Sequence, residues 1–438
     1  MPKEQNGAEE TDAGHIPDAA VASTDGAKPG LKRSTRACLL IAALTLAAAA
    51  GACGSDPSRA PAPLRNVTLS DHTYQVPKPL PSGAPGTLIA ATDHGTDPLL
   101  AAARRWTVLY HSTDRHGADI AVSGTVLLPG GTPPPGGWPV VSWAHGTTGV
   151  ADKCAPSQAP NLGYDSYAQQ VRTLIQAGYA VTASDYPGLG TPGMHTYLVG
   201  ADEGNAVVDI VTAGRHLAPS LAPTWFAVGH SQGGQAALFA ANAARRAPAL
   251  HLAGAVAVAP ASHLGTMLPG VISSHVSSEL SFALYSLAGL SATEPSVDLH
   301  RLIGPTTLPA AEQALASCLK DSYAPLSRVG TDQTLPLTQD QLNRLGSAMA
   351  AYGDPDRAAI AGPVLVIQGG GDLDVPPVWT EEVVGHLRSL GSPAVTLQTY
   401  PGADHDQVLG QSSCDLLRFL AAHEGRPVSH CTPYRTQG

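Results

Sequence analysis

The stretch WFAVGHSQGGQAALFA, residues 225–240, decides the fold. Its apolar first part predicts a buried strand over 225–228, and its alanine-rich part begins a helix predicted over 232–246. The intervening Gly-x-Ser-x-Gly is typical of a tight turn that exposes a serine between a strand and a helix. A chain of this composition contains roughly 0.35 such pentapeptides by chance. The flanking strand and helix, more than the motif, therefore favour Ser231 as a nucleophile.

The sequence on both sides of this turn alternates between strand and helix patterns. Strands are predicted at 105–112, 122–128, 140–144, 179–184, 252–259, 363–368 and 395–400, and helices at 166–177, 203–217, 380–390 and 407–423. Nearly continuous apolar strands separated by helices indicate a mostly parallel sheet with helices on both faces. Together with the serine turn, this order predicts an α/β-hydrolase fold.

One segment interrupts the alternation. Residues 262–356 are rich in Leu, Ala and Ser, read as mostly helical and contain no clear strand. We expect this segment to be a helical cap inserted between two sheet strands of one catalytic domain, which covers residues 64–438.

The N-terminus has the pattern of an export signal. Three cationic residues, Lys32, Arg33 and Arg36, precede an uncharged, alanine-rich run at 37–50, shorter than the roughly 20 residues of a membrane span. We predict a signal peptide over 1–53 and a tether over 54–63. Two processing modes stay open, because Ala50-Gly51-Ala52 suits an ordinary signal peptidase whereas Cys53 suits lipidation. The protein is therefore expected to be secreted or on the cell surface.

Cysteine usage agrees with export. The part of the chain after the predicted signal contains Cys154, Cys318, Cys414 and Cys431, an even set in an oxidising compartment. Four cysteines allow three pairings, and free buried thiols are the alternative. We favour Cys414–Cys431 because they are close in sequence, which leaves Cys154–Cys318. The sequence contains no Cys-x-x-Cys motif and no cluster of Cys and His residues at metal-ligand spacing, so it predicts no metal site.

The overall charge argues against several partners. The formal net charge is −10 and charged residues make up 14% of the chain. The sequence contains no stripe of clustered basic residues, so it predicts no nucleic-acid partner. The sequence predicts no cofactor and does not define an oligomeric state.

A serine nucleophile needs a general base and an acid that orients it, and this fold places them in the order Ser, acid, His. An acid directly after a strand faces the crevice at the carboxyl edge of the sheet. After the strand at 363–368 we favour Asp372, with Asp374 as the alternative. His405 lies in the loop after the strand at 395–400, where the base is expected.

Backbone amides are the predicted oxyanion donors. The N–H of Gln232 lies at the start of the helix after the serine turn, where the helix dipole also favours negative charge. The second donor should come from the loop after the strand at 140–144. Gly146, Thr147 and Thr148 are the candidates in that loop.

Four motifs occur in order along the chain: WAHGTTG at 143–149, CAPS at 154–157, SDYPGLG at 184–190 and GHSQGG at 229–234. Together they resemble the secretory lipase family over about residues 105–408. The resemblance implies an α/β-hydrolase core with a lid-like cap, disulfides, no metal, and hydrolysis of fatty-acid esters. The triad of the family corresponds to Ser231, Asp372 and His405.

The leading hypothesis is therefore a lipase or carboxylesterase that acts on a small-molecule or lipid ester. Acyl transfer to an alcohol, peptide hydrolysis, and a non-catalytic protein of the same fold are the alternatives. Tyr186 could line an acyl site, but a role in the turn is the stronger interpretation. Some apolar cap residues could form an acyl pocket, although packing suits most of them: Met267, Leu268, Leu280, Phe282, Leu284, Leu287 and Leu290.

Overall fold

The structure of the protein is a computed structural model that describes residues 68–69, 73–274, 276–427 and 431. All of them belong to one compact unit, Asp56–Gly438. The predicted signal peptide, the tether and Cys53 lie outside the described residues. No helix in the described part is both long enough and apolar enough to cross a membrane.

The described strands form one ten-stranded sheet in the order β1-β2-β3-β4-β6-β5-β7-β8-β9-β10. They are β1 (Thr68–Leu69), β2 (Leu88–Asp97), β3 (Ala102–Thr113), β4 (Asp119–Leu128), β5 (Trp138–Ala144), β6 (Ala180–Ser184), β7 (Leu221–His230), β8 (His251–Val258), β9 (Val364–Gly369) and β10 (Val395–Tyr400). In this order, neighbouring strands are parallel along β6-β5-β7-β8-β9-β10, and they are antiparallel along β2-β3-β4-β6. The mostly parallel α/β sheet predicted from the sequence is thus confirmed.

From β5 onward the helices alternate with the strands as expected, except between β8 and β9. They are α1 (Asp165–Gln176), α2 (Gly200–Leu217), α3 (Gln232–Ala243), α4 (Leu264–Ser274), α5 (Ser277–Thr293), α6 (Leu299–Leu302), α7 (Leu308–Leu315), α8 (Leu319–Leu326), α9 (Thr331–Thr334), α10 (Gln339–Gly353), α11 (Pro377–Ser389), α12 (Gln407–Gln411) and α13 (Ser413–Glu424). The side chains of each central strand alternate between two cores. On β5, Val141 and Trp143 pack with α1, α12 and α13, while Val140 and Ala144 pack with α2, α3 and α11.

Three elements differ from the sequence prediction. β1 and β2 were not predicted; the apolar start of β2 runs into Asp93, His94 and Gly95, which read as a turn. The single helix predicted at 407–423 is divided at Ser412 into α12 and α13. There the hydroxyl of Ser413 lies 2.8 Å from the side-chain oxygen of Gln170 and 3.0 Å from the carbonyl oxygen of Gly410, and such side-chain hydrogen bonds of serine compete with those of the helix backbone.

Between β8 and β9 the described residues form the helices α4 to α10 and no strand of the sheet. These helices have an apolar core of their own, which continues onto Val150, Tyr197 and Leu198 of the sheet domain. Most of the apolar cap residues that the sequence singles out are buried in this core: Leu268, Leu280, Leu284, Leu287 and Leu290. Packing is therefore the main role of this set.

Both favoured disulfides are present, Cys154–Cys318 and Cys414–Cys431. The first joins the segment after β5 to the residue that precedes α8. Beside it, the amide of Leu319 donates to the carbonyl of Thr148 at 2.9 Å, and Gly149 pairs with Cys318 in an isolated β-bridge. The two cysteines are 164 positions apart in the sequence, and closing a loop of that length is expected to stabilise the folded state by about 5 kcal/mol through the entropy of the unfolded chain. The disulfide thus fixes one edge of the helical segment to the loop after β5.

Candidate active site

The strand order of the sheet reverses at β5. The chain leaves β5 to form β6 on one side and then β7 on the other, so β5 lies between them. Ligand sites of open parallel sheets occur at such a reversal, outside the carboxyl ends of the strands. The loops that follow β5, β7, β9 and β10 contain the residues singled out from the sequence.

Ser231 occupies a strained turn between β7 and α3. Its φ of 58° and ψ of −122° are rarely adopted by a residue with a side chain. The neighbouring glycines permit this turn because a Cβ on Gly233 would lie 1.9 Å from the carbonyl oxygen of Ala144. A Cβ on Gly229 would lie 2.0 Å from the carbonyl oxygen of Gly233. The backbone thus has the geometry that the pentapeptide predicts.

Asp372 and His405 are in direct contact. The Oδ2 atom of Asp372 lies 2.8 Å from Nδ1 of His405. The other oxygen, Oδ1, accepts the amides of Asp374 at 2.9 Å and Val375 at 2.8 Å, which fixes the carboxylate. The side chain of Asp374 is exposed, and it forms no hydrogen bond to the imidazole in the described part of the chain. Of the two acids that the sequence left open, Asp372 is the one that contacts His405.

This contact changes the pKa of both groups. Burial alone would raise the pKa of Asp372, but the hydrogen bond and charge of His405 outweigh burial and hold it below its usual value. Burial alone would lower the pKa of His405, yet Asp372, followed by Asp374 and Asp406, raises it above 6.5. A protonated imidazole is therefore stabilised at this position.

The loop of His405 contacts the residue that precedes Ser231. The Nε2 atom of His230 lies 2.9 Å from the carbonyl oxygen of His405, and the two rings are 4.7 Å apart. Within the described residues, the hydroxyl of Ser231 has no hydrogen-bond partner. Catalytic hydrogen bonds often tighten only when substrate binds, so a free hydroxyl is compatible with a nucleophilic role for Ser231.

The backbone amides near Ser231 differ in availability. The amide of Gly146 donates to the Tyr167 hydroxyl at 3.1 Å and is therefore engaged. The amides of Thr147, Thr148 and Gln232 have no acceptor among the described residues, and Gln232 is the first residue of α3, where such amides are free. The prediction of Gly146 as an oxyanion donor is thus disfavoured, and Thr147 or Thr148, together with Gln232, fits better.

A buried acid that the sequence analysis missed lies behind the turn. Glu203, in the first turn of α2, accepts the side-chain amide of Gln232 at 2.7 Å and the backbone amide of Leu198 at 2.9 Å. The Gln232 amide also contacts Nε2 of His195 at 3.0 Å. In the sequence, Glu203 looks like an ordinary acid at a helix N-terminus, and no local pattern marks it as buried.

Burial raises the pKa of Glu203 to about 8, so the folded protein holds a proton there that the unfolded chain releases above pH about 4.5. Between these values the native state binds more protons, and its stability falls by up to about 1.4 kcal/mol per pH unit. We expect Glu203→Gln to remove this loss. From about pH 6 to about pH 7.5, the free energy of unfolding measured with urea should fall about 1–2 kcal/mol less in the variant than in the wild type.

The matched control is Glu381→Gln, which changes an exposed glutamate of α11 in the same way. It should keep the wild-type dependence of unfolding on pH. Equal pH slopes for the wild type and Glu203→Gln would show that Glu203 is already ionised in the folded protein.

Tyr186 has a structural role. It is fully buried with a φ of 68°, and its hydroxyl donates to the carbonyl of His145 at 2.9 Å. The preceding Asp185 accepts the amide and hydroxyl of Ser157 and the hydroxyl of Ser123. The pair therefore anchors the loop after β5, which is the turn role favoured from the sequence. In the described part of the chain, no group of three or more His, Cys, Asp or Glu side chains could hold a metal ion.

The chain is similar to solved hydrolases. A lipase A from Candida antarctica, in its closed state, is 20% identical with a TM-score of 0.68, covering 84% of this chain and 89% of that one. The rice cell wall degrading esterase LipA from Xanthomonas oryzae is 20% identical with a TM-score of 0.60, covering 78% and 97%. These likenesses and the site geometry define the class of fold, an α/β hydrolase.

The sequence model of the secretory lipase family matches residues 155–333. The matched part includes Ser231 and most of the helical segment, and ends before Asp372 and His405. The match confirms the resemblance seen in the motifs and supports a carboxylic ester hydrolase. No curated protein sequence matches the chain.

Proposed function

We propose that this protein is an extracytoplasmic lipase or carboxylesterase that forms an acyl-enzyme on Ser231. One observation carries the proposal: the buried carboxylate of Asp372 lies 2.8 Å from Nδ1 of His405, in a structure where Ser231 occupies the strained turn after β7. A serine with a base and an orienting acid is the arrangement that nucleophilic acyl transfer needs.

In the proposed mechanism, the Ser231 hydroxyl attacks the ester carbonyl while Nε2 of His405 takes its proton. Asp372 keeps the Nδ1 proton in place and stabilises the imidazolium. The amide of Gln232 and a free amide of the loop after β5 donate to the oxyanion, an effect of roughly 3 kcal/mol for each donor. His405 then protonates the departing alcohol. Water attacks the acyl-enzyme by the same route, releasing the carboxylic acid and restoring Ser231.

An acyl ester is the expected substrate because the chain resembles the secretory lipase family. A cavity lined by Leu290, Met349 and Tyr197, among others, has a volume of about 10 Å³, which is room for about one water molecule. A fatty acyl chain would therefore enter this region only if the helices move apart. The two disulfides support an extracellular location, and lipidation of Cys53 would add a membrane tether.

A fluorophosphonate and an ester series test the proposal together. The probe should form one adduct, which peptide mass mapping places on Ser231, and p-nitrophenyl esters of increasing acyl length should be hydrolysed. Product analysis with an added alcohol separates hydrolysis from acyl transfer. Folded protein that forms no adduct and cleaves none of the esters would refute the enzyme hypothesis and favour a non-catalytic protein.

A further inference from the structure

Two buried aromatic side chains, Tyr167 and His230, lie between the loops of the candidate site. Tyr167 belongs to α1 and is 4% exposed, whereas His230 ends β7 and is 1% exposed. Their rings pack edge to face, 5.9 Å apart. The proposed mechanism assigns neither residue a role, yet both side chains form hydrogen bonds to other loops of the candidate site.

The hydrogen bonds around these side chains have a defined direction. The carbonyl oxygen of His405 can only accept, so Nε2 of His230, 2.9 Å away, carries the proton. In a neutral ring the Nδ1 atom of His230 is then an acceptor, and burial supports neutrality because it lowers the pKa of His230 to about 3. The Tyr167 hydroxyl, 3.2 Å from Nδ1, donates to it. The same hydroxyl accepts the amide of Gly146 at 3.1 Å.

A continuous chain of hydrogen bonds therefore runs from Gly146 through Tyr167 and His230 to His405. It connects the loop after β5, the helix α1, the serine turn and the loop after β10. These bonds join residues far apart in sequence, 63 positions for Tyr167 and His230 and 175 for His230 and His405. A single peptide bond separates His230 from Ser231, so the network holds both sides of the reacting centre relative to the serine.

The network also selects which amides can serve the oxyanion. Tyr167 occupies the amide of Gly146, while the next two amides along, those of Thr147 and Thr148, stay free within the described residues. The close approach depends on glycine, because a Cβ at Gly146 would lie 2.2 Å from the Tyr167 hydroxyl. The site of that Cβ is also 3.3 Å from Cβ of Ser231, which shows how near this loop lies to the serine.

We propose that Tyr167 and His230 are positioning residues that hold the oxyanion loop and the carbonyl of His405 at fixed places relative to Ser231. This inference rests on the proposed ester hydrolysis and adds to it the two residues that align its parts. Misplacing a base or an oxyanion donor weakens transition-state contacts more than substrate binding. The effect should therefore appear in kcat, with little change in KM.

The first test is Tyr167→Phe, which keeps the ring and removes only the hydroxyl. With p-nitrophenyl butyrate, kcat should fall by about 10- to 100-fold, whereas KM stays within about threefold. The matched control is Tyr110→Phe, since the Tyr110 hydroxyl is buried and bonds Ser184 at 2.7 Å and Ala206 at 3.1 Å, outside the site. A kcat for Tyr167→Phe within about twofold of both the control and the wild type would overturn the inference.

A pair of substitutions at His230 tests the network without relying on Tyr167. Glutamine offers one donor and one acceptor, as the neutral imidazole does, whereas leucine offers neither. We expect His230→Gln to retain at least about tenfold more kcat than His230→Leu. Equal kcat values in the two variants would mean that His230 only fills space.

Fluorophosphonate labelling separates this inference from the proposed function. If the wild type is neither labelled nor active, the proposed function fails, and the positioning role fails with it. Suppose that the wild type is labelled and active, that Tyr167→Phe matches Tyr110→Phe, and that the two His230 variants have equal kcat values. Only the positioning role then fails. Slow labelling of the correct serine in folded Tyr167→Phe is the result we expect.

Discussion

Replacing Ser231 with alanine should lower kcat/KM for p-nitrophenyl butyrate by at least about 10⁵-fold. The hydroxyl is the proposed nucleophile, and no other serine or threonine in the described residues combines a strained turn with a neighbouring His–Asp pair. The variant should fold normally, because the hydroxyl has no hydrogen-bond partner in the described part of the structure. Stopped assays over long incubation times would quantify the remaining rate.

The control for this result is Ser142→Ala. Ser142 is a buried serine of β5 whose hydroxyl donates to the carbonyl of Val207 at 2.7 Å. Its loss should reduce stability slightly and leave kcat near that of the wild type. If Ser231→Ala keeps more than about one hundredth of the wild-type rate, the acyl-enzyme mechanism is wrong. A general-base mechanism in which His405 activates water directly would then be the better explanation.

The parts of the site that sequence reasoning found are those with local signals. Ser231 lies in a glycine-bounded turn, while Asp372 and His405 each follow a strand at the same edge of the sheet. Their meeting at 2.8 Å follows from parallel strands whose carboxyl ends are adjacent. An alternation of strand and helix patterns therefore predicts both the sheet and the region where its loops converge.

Sequence reasoning missed the residues whose roles depend on contacts with residues distant in the chain. Tyr167 looks like one more apolar residue of an amphipathic helix, and His230 only fills the variable position of the pentapeptide. Gly146 looks like a free oxyanion donor until the Tyr167 hydroxyl is placed against it. In each case the role depends on a contact with a side chain of another element. Neither the spacing of residues nor the composition predicts that contact.

Replacing the acid should have the second largest effect, and it distinguishes the two aspartates. Asp372→Asn should lower kcat by roughly 10⁴-fold, because an amide can hold His405 in the wrong tautomer and cannot stabilise its positive charge. Asp374→Asn is the matched control, two residues away and exposed, and should change kcat by less than about threefold. Both variants are assayed with the same p-nitrophenyl esters.

The pH dependence of kcat/KM provides a second criterion that a loss of folding cannot imitate. The base acts in its neutral form, so the activity of the wild type should fall as the pH drops through the pKa of His405, which Asp372 raises above 6.5. Asp372→Asn removes that stabilisation of the imidazolium, and the acid limb of its residual activity should move to lower pH.

A large loss of kcat in Asp374→Asn with Asp372→Asn nearly unaffected would assign the orienting acid to Asp374. An unshifted acid limb in Asp372→Asn would show that the contact at 2.8 Å does not control the protonation of the base.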